Sequence, residues 1–419
     1  MAKKLWGGRF TKKIDKEFFK FQKSIQYDHK LAEYDIAHSL IHVGALEITG
    51  ILSKPEKKKL VNALKKIREE IDTGHFKYKK DSEDIHTDIQ NKVEKQVGKL
   101  ALKLHSLRSR NDQIVFDEKA YCSYNAVGMV GLLDDLLKSI NSLGEKYKNL
   151  KIVGYTHMQR AQPVSFYDYM NVFCCMFKRD QERLANCNGN IKIYIGSGAL
   201  AGSSITKNAY NEAINEVQKH MPPDSFFAVK PYVNSLDNIS DRDFIVEFLS
   251  AISIIQMHLS RMSEDFILYS TKEFDFLELP EEFCTGSSLM PHKKNPDFLE
   301  LVRGYTGRIY GNLISILTTM KGLPLTYNRD MQLDKEPLFS SVEIIQDEIK
   351  IMTRLVAKVK PNISKIENAL TDYSLYATAQ ADELVRKKGM SFKEAHDTVG
   401  KLIKKQESLE KKNSKDAYK

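Results

Sequence analysis

Residues 243–270 read DFIVEFLSAISIIQMHLSRMSEDFILYS. Apolar side chains fall at Phe244, Phe248, Ile252, Ile255, Leu259, Met262 and Phe266, three or four apart throughout. That period lines one side of an α-helix, and the run is about twice the ordinary globular helix of roughly 11–12 residues. Ile252, Ile254 and Ile255 together make it apolar on more than one side, which predicts burial all round. Residues 298–320 repeat the spacing with Leu301, Val302, Tyr305, Ile309, Leu313, Ile316, Leu317 and Met320. A third segment, residues 117–147, carries Leu132, Leu133, Leu136, Leu137, Ile140 and Leu143. Helices of this length pack as a bundle, and their surplus of apolar surface predicts association between subunits. The fold class is all-α.

The 419 residues allow about two to four domains, and 42% hydrophobic against 28% charged content supports a large core rather than disorder. Shorter helical patterns precede residue 110, broken by turn-like stretches at Leu52-Ser53-Lys54-Pro55 and Thr73-Gly74. Another begins after Pro361-Asn362. The expected division is an N-terminal helical domain (1–110), a central long-helix bundle (111–362) and a short C-terminal helical domain with a Lys-rich tail (363–419). No run of about 18 uninterrupted apolar residues predicts a membrane span, and the opening Met1-Ala2-Lys3-Lys4 leads into no signal-peptide core. A cytoplasmic location is expected.

Net charge is +9, but the last nineteen residues hold seven lysines against Glu407, Glu410 and Asp416 and supply +4 of it. A solvated, frayed end accounts for them, and no motif points to nucleic acid. The cysteines Cys122, Cys174, Cys175, Cys187 and Cys284 lack zinc-ligand spacing and read as structural free thiols. No metal is expected, because no His/Asp/Glu group shows ligand spacing on one helix face. Phosphate-loop and dinucleotide glycine patterns are also absent, so the sequence calls for no cofactor.

Chemistry concentrates in residues 285–296, Thr-Gly-Ser-Ser-Leu-Met-Pro-His-Lys-Lys-Asn-Pro. Ser287 and Ser288 follow a glycine, Lys293 and Lys294 add fixed charge, and Asn295-Pro296 reads as a helix start with Asn295 as N-cap. Hydroxyls, cations and a positive helix end suit a substrate that becomes more anionic as it reacts. Four further segments are dense in polar donors: residues 104–113 around Arg108-Ser109-Arg110-Asn111, residues 154–163 around Thr156-His157, residues 234–243 before the helix at Asp243, and residues 327–336 after Gly322-Leu323-Pro324. Each alone is equally well a cap or a surface ion-pair cluster. His29, His75, His220 and His396 suggest no role.

These segments resemble the argininosuccinate lyases of the fumarase/aspartase superfamily. Gly286-Ser287-Ser288-Leu289-Met290-Pro291 is similar to the superfamily signature, and further likeness lies in Lys4-Leu5-Trp6-Gly7-Gly8-Arg9-Phe10, Glu83-Asp84-Ile85-His86, Arg108 onward, Gly154 to Val164, Asn234 to Phe248 and Lys321 to Asn328. The resemblance spans residues 4 to 400. It implies reversible anti β-elimination of argininosuccinate to L-arginine and fumarate, the last step of arginine synthesis, without a cofactor. By resemblance, Ser287 and His157 are the catalytic serine and histidine, and Glu300 orients the histidine. Lys293 and the loop amides would stabilise a serine oxyanion. Which of Ser287 and His157 removes the carbon-bound proton stays open. Substrate contacts carry over to Ser24, Asn111, Thr156, Asn295, Tyr327, Gln332 and Lys335. The family implies a homotetramer with active sites shared between subunits and a small-molecule substrate as its only other partner. Three residues depart from its pattern: Leu107 stands in place of a glycine, His292 in place of a glutamine, as in adenylosuccinate lyases, and Leu333 in place of an acidic residue. The C-terminal domain is also shorter than usual. An adenylosuccinate-type lyase and a non-catalytic structural homologue are the alternative readings.

Overall fold

A computed structural model describes residues 11, 12, 14–219 and 228–417. The stretch Lys4 to Phe10, His220 and Lys419 lie outside the described residues. About 70% of the chain is helical. The three helices read from apolar spacing run Arg110–Lys146, Asp243–Tyr269 and Asp297–Met320. Phe166–Asn190 and Lys335–Val356 are of similar length. The first begins earlier than its apolar pattern because the Ser109 hydroxyl accepts the Asn111 amide at 3.2 Å and caps it. All seven spaced apolar residues of Asp243–Tyr269 are buried, each contributing about 2 kcal/mol of transfer free energy. Length and composition alone would let this helix cross a membrane, but 61% of its most apolar stretch is buried within the protein.

Short caps set the smaller elements. Ser53 and Glu56 form a capping box at the start of Lys54–Asp72, with the Ser53 amide donating to Glu56 Oε2 at 2.8 Å. Asn234 caps Ser235–Ser240, and Asp241 accepts the Asp243 amide at 2.9 Å where the long helix opens. Strands among the described residues form three two-stranded ladders. β1 (Lys151–Thr156) pairs antiparallel with β2 (Gln159–Ser165), β3 (Ile193–Ile195) parallel with β4 (Val229–Pro231), and β5 (Leu277–Glu278) antiparallel with β6 (Lys360–Pro361).

The helix Phe392–Ala417 runs into the basic tail, consistent with the strong helix propensity of its Lys, Glu, Gln and Leu residues. Cys174 is buried and Cys175 exposed, since one helical step carries the second from the packed face to solvent. All five thiols are free.

The chain resolves into two compact units. One comprises Met1–Leu132, Asp180–Met257 and Tyr305–Asp347; the other comprises Leu133–Arg179, His258–Gly304 and Glu348–Lys419. The first has at its centre the helix Ala32–Ile48, buried on nearly every side. Gly44 of that helix brings Lys207–Gln218 close, for a Cβ there would lie 3.1 Å from Ala213 Cβ. The second contains an aromatic cluster of Tyr169, Phe173, Phe266, Tyr269, Phe274 and Phe276 in edge-to-face and tilted contacts.

Leu107 adopts φ +58°, a left-handed conformation that costs an L-residue about 1–2 kcal/mol. Its carbonyl is held there by the Ser203 hydroxyl at 2.7 Å, and its side chain is 44% exposed. Leu107→Gly would therefore relieve strain while losing little burial. We expect a gain of about 0.5–1 kcal/mol by urea denaturation. A loss of stability would show that the conformation carries no strain.

Candidate active site

The segment 285–296 is a loop closed at its neck. Thr285 and Asn295 pair backbone to backbone, at 3.0 Å for the Thr285 amide and 2.8 Å for the Asn295 amide. This corrects the expected helix start. Asn295 is committed to the bridge, so the helix opens at Asp297, with the Pro296 carbonyl accepting the Glu300 amide at 3.1 Å. The Asn295 carboxamide turns back into the loop, donating to Gly286 O at 3.4 Å. Inside the neck, Ser287 Oγ accepts two backbone amides, Met290 at 3.0 Å and Leu289 at 3.3 Å. Two donors converging on one hydroxyl oxygen stabilise negative charge on it. The two lysines differ. Lys294 donates to Leu279 O at 2.5 Å, whereas the Lys293 ammonium is exposed and has no partner among the described residues. Glu300 is exposed, with Arg303 4.0 Å away, and Arg303 in turn pairs with Glu264 at 2.5 Å.

Thr156 and His157 belong to a β-hairpin that the sequence reading did not foresee. Thr156 ends β1 opposite Gln159, so His157 and Met158 are the two-residue connection. Their φ values are +54° and +60°. Two-residue connections with positive φ at both positions favour Asn-Gly, and each side chain held there costs about 1 kcal/mol. Both are exposed, and the His157 imidazole has no hydrogen-bond partner among the described residues. Gly154 makes the bulge between Val153 and Tyr155 possible, since a Cβ would fall 2.8 Å from Gln162 O. The second compact unit thus carries Ser287, His157, Lys293, Asn295, Thr156 and Glu300.

The first unit carries the other five. Ser24 is buried and donates to Asp28 Oδ2 at 2.6 Å, while the Ile85 amide donates to Asp28 Oδ1 at 3.1 Å. The Glu83 carbonyl accepts the Ser24 amide at 2.9 Å, so the Glu83-Asp84-Ile85-His86 stretch is stitched to Ser24. Asn111 donates to Ala199 O at 3.3 Å. Gln332 donates to Gln22 O at 3.0 Å and to the Tyr27 hydroxyl at 3.2 Å. Tyr327 is half-buried, and burial raises its phenol pKa. Lys335 is buried, its ammonium 2.5 Å from Glu118 and 2.8 Å from Asp334. Its charge is committed to carboxylates of its own chain. Burial opposes that charge, but Asp334 and Glu118 more than compensate and hold the ammonium protonated.

One element escaped the sequence reading altogether. Residues 196–203, Gly-Ser-Gly-Ala-Leu-Ala-Gly-Ser, run against both the 104–113 and 234–243 segments. Asp112 accepts the amides of Gly196 (2.9 Å) and Ser197 (3.1 Å), and Asn238 donates to Ser197 Oγ at 2.9 Å. Gly198 sits at φ +62° with no room for a Cβ, which would meet Gly202 O at 2.5 Å. The density of small residues was the available signal. The structure also gathers Asp35, His86 and Asp117 so that one donor atom from each lies within 4.8 Å of the others. The three lie on different helices, so spacing along one helix face could not have revealed them. Asp35 accepts from His86 Nδ1 (3.0 Å) and from Gln113 (2.6 Å). Burial would raise its pKa, but His86, Arg108 and Arg110 hold it below the ordinary carboxylate value. The fixed charges of Arg108 and Arg110 make the cluster a poor cation site.

Comparison with known proteins follows the same lines. A family model described as Lyase matches residues 8–311, and one described as Argininosuccinate lyase C-terminal matches residues 374–417. The argininosuccinate lyase of Clostridium kluyveri is 43% identical over 401 residues, covering 96% of this chain and 89% of that protein. That of Carboxydothermus hydrogenoformans is 42% identical over 405 residues, covering 96% and 86%. Among solved structures, an EDDS lyase variant with bound fumarate superposes with TM-score 0.76 at 21% identity, covering 96% of this chain and 78% of that one. A fumarate lyase:delta crystallin from Brucella melitensis bound to cobalt gives TM-score 0.76 at 18% identity, covering 91% and 86%. The long packed helices, the family models and these relatives define a lyase of the fumarase/aspartase fold. The chain belongs to the argininosuccinate lyase family.

Burial, with Asp84 nearby, pushes the Asp28 carboxyl up to about 6 from 3.8. A raised folded-state pKa means that the folded chain holds this proton more tightly than the unfolded one. The penalty is therefore absent at low pH and grows as pH rises from about 4 through 6. Asp28→Asn carries no such term. Its stability relative to the parent should improve by about 1–2 kcal/mol between about pH 4.5 and 7.5, measured by urea denaturation. A difference independent of pH would refute the assignment.

Proposed function

We propose that this protein reversibly cleaves argininosuccinate to L-arginine and fumarate by anti β-elimination, the last step of arginine synthesis. The observation that carries the reading is the pair of amides, Leu289 and Met290, on Ser287 Oγ. Elimination requires a base at a weakly acidic carbon, stabilisation of the aci-carboxylate, and an acid for the departing guanidinium nitrogen. The amide pair favours negative charge on Ser287 and thus supports the serine at the carbon-bound proton. His157 then serves the nitrogen. Lys293, with its ammonium uncommitted, and Asn295 are the groups for the developing carboxylate charge. Ser24, Asn111, Thr156, Tyr327, Gln332 and Lys335 complete the proposed substrate-binding set, Glu300 the proposed orienting group. No nucleic acid or membrane partner is indicated.

A homotetramer with shared active sites belongs to the same proposal. Its support is the face of Asp297–Met320 that exposes Leu301 (56%), Ile314 (58%) and Leu317, next to Gly304, Gly307 and Gly311, beside which lies open space. Five free thiols support a cytoplasmic location. We keep the functional division 1–110, 111–362 and 363–419 as part of this reading.

Fumarate should appear by ultraviolet absorbance when the protein is given argininosuccinate, and Ser287→Ala should lower kcat by about a thousandfold. Full activity in that variant would reject the serine assignment. Fumarate from adenylosuccinate alone would transfer the reading to that substrate, and silence with both would favour a non-catalytic homologue. Sedimentation velocity should show a species of four 48.1 kDa chains, and a monomer would overturn the shared-site reading.

A further inference from the structure

The tip of the β1–β2 hairpin is a conformation that its own residues disfavour. His157 and Met158 both sit at positive φ, both are exposed, and the flanking pair Thr156–Gln159 is exposed as well. Whatever fixes the tip must act on the next cross-strand pair, Tyr155 and Arg160. Directly opposed residues of an antiparallel ladder point to one face, so these two side chains form a collar below the tip. Tyr155 is held by Phe274, edge-on at 5.4 Å, and by Tyr269 at 6.3 Å. Arg160 is held by the chain that follows residue 362. Its Nη1 donates to Asp372 Oδ2 at 3.1 Å and to Ala369 O at 3.4 Å.

Both acceptors are themselves fixed. Ala369 lies in the last turn of the helix Ile363–Leu370, where carbonyls lack intrahelical donors and a cation is favoured. Asp372 caps the short 3₁₀ turn Tyr373–Tyr376, its Oδ1 accepting the Ser374 hydroxyl at 2.6 Å and the Ser374 amide at 3.0 Å. One carboxylate oxygen is thereby committed to the turn and the other to Arg160. Burial would raise the Asp372 pKa, but Ser374 and Arg160 hold it below its ordinary value, so it is ionised when the enzyme works. The bulge at Gly154 leaves the strand free to bend below the collar, which makes the anchor above it matter more.

We propose that Arg160 and Asp372 are positioning residues that lock the hairpin tip, so that residues 369–374 set the pose of His157 for proton transfer. The inference rests on the reading of His157 as catalytic. Neither residue need touch the substrate. A half-exposed ion pair contributes little to global stability, so its loss should be read in turnover rather than in folding.

Steady-state kinetics on the full-length enzyme test this. Asp372→Ala and Arg160→Ala should each lower kcat by about tenfold while KM stays within about twofold and Tm changes little. The double variant should lose no more than either single one, and Arg160→Lys, which keeps the charge, should recover part of the loss. Wild-type kcat in either alanine variant, additive losses, or a fall in kcat matched by a fall in Tm would overturn the proposal. His157→Asn separates the two levels. If that variant keeps full turnover, the catalytic reading of His157 fails. If it is inactive while the Arg160 and Asp372 variants are normal, only the positioning role fails.

Discussion

Four charges buried together organise the first compact unit. Arg242 Nε lies 2.5 Å from Asp334 and 3.1 Å from Glu118, and Lys335 closes the ring to both carboxylates. All four side chains are at most 3% exposed. Two cations face two carboxylates, the balance that lets ions be held where water does not reach, although burial, with Asp334 beside it, pushes the Glu118 carboxyl up to about 7. Burial alone would neutralise Asp334, but Lys335 and Arg242 reverse that and keep it ionised. No member is expendable, since removing one leaves an unpaired buried charge at a cost of about 3–5 kcal/mol. The value of such a ring is geometric. Glu118 lies on Arg110–Lys146, Arg242 at the entry to Asp243–Tyr269, and Asp334 and Lys335 where Lys335–Val356 begins. Three helices can therefore meet in one register only. Lys119, next in line, repeats the clamp by reaching Asp241 at 2.7 Å and Asn238 at 3.0 Å.

That ring shows where sequence reasoning succeeds and where it stops. Apolar spacing is local, so the helices at 243–269 and 297–320 were legible to within a residue, and that at 110–146 except for its polar first turns. Ion pairing is not local. Arg242 and Glu118 are far apart in the chain, and nothing in the spacing of residues 234–243 or 327–336 distinguishes an internal clamp from a substrate-binding cluster. Asn238, Asp241 and Arg242 are tied into the fold, and Lys335, a member of the proposed substrate-binding set, stands in the same ion-pair ring. The hairpin at 151–165 was hidden for another reason. Gln159 to Ser165 lacks apolar alternation, and His-Met is not a sequence that announces a two-residue turn. Asn295-Pro296 misled because it fits a helix start locally, while a tertiary bridge to Thr285 claimed the asparagine first. The convergence of amides on Ser287 was partly legible, as a glycine-led loop needing an oxyanion stabiliser. The identity of the donors was not.

Strain marks the same places. Among the described residues, Leu107, His157, Met158, Asp275 and Thr326 are the non-glycine residues at positive φ, and all but Asp275 lie within or beside a polar segment singled out from the sequence. Such conformations persist only where neighbours over-determine them. The four in or beside those segments have restraints: Ser203 on the Leu107 carbonyl, Ser240 on the Thr326 amide at 2.7 Å, and the Tyr155–Arg160 collar beneath His157 and Met158. Hydroxyl side chains from segments distant in sequence therefore do for Leu107 and Thr326 what a glycine would do at no steric cost.

The collar also divides the C-terminal segment into two parts with different duties. Residues 369–374 hold Arg160, and the family's C-terminal module begins only at residue 374. The helices Ala377–Lys388 and Phe392–Ala417 have a small core of their own, in which Ala381, Ala395 and Val399 pack with Leu384, Val385, Met390 and Ile403. Tyr373 links the parts, its hydroxyl donating to Ile403 O at 3.2 Å. The carboxylate that grips the hairpin is capped from within its own turn by Ser374 and takes no bond from the helix pair. Arg160 is thus gripped by chain at the entry to the module rather than by its helix pair, and the Tyr373 hydroxyl on Ile403 joins the two.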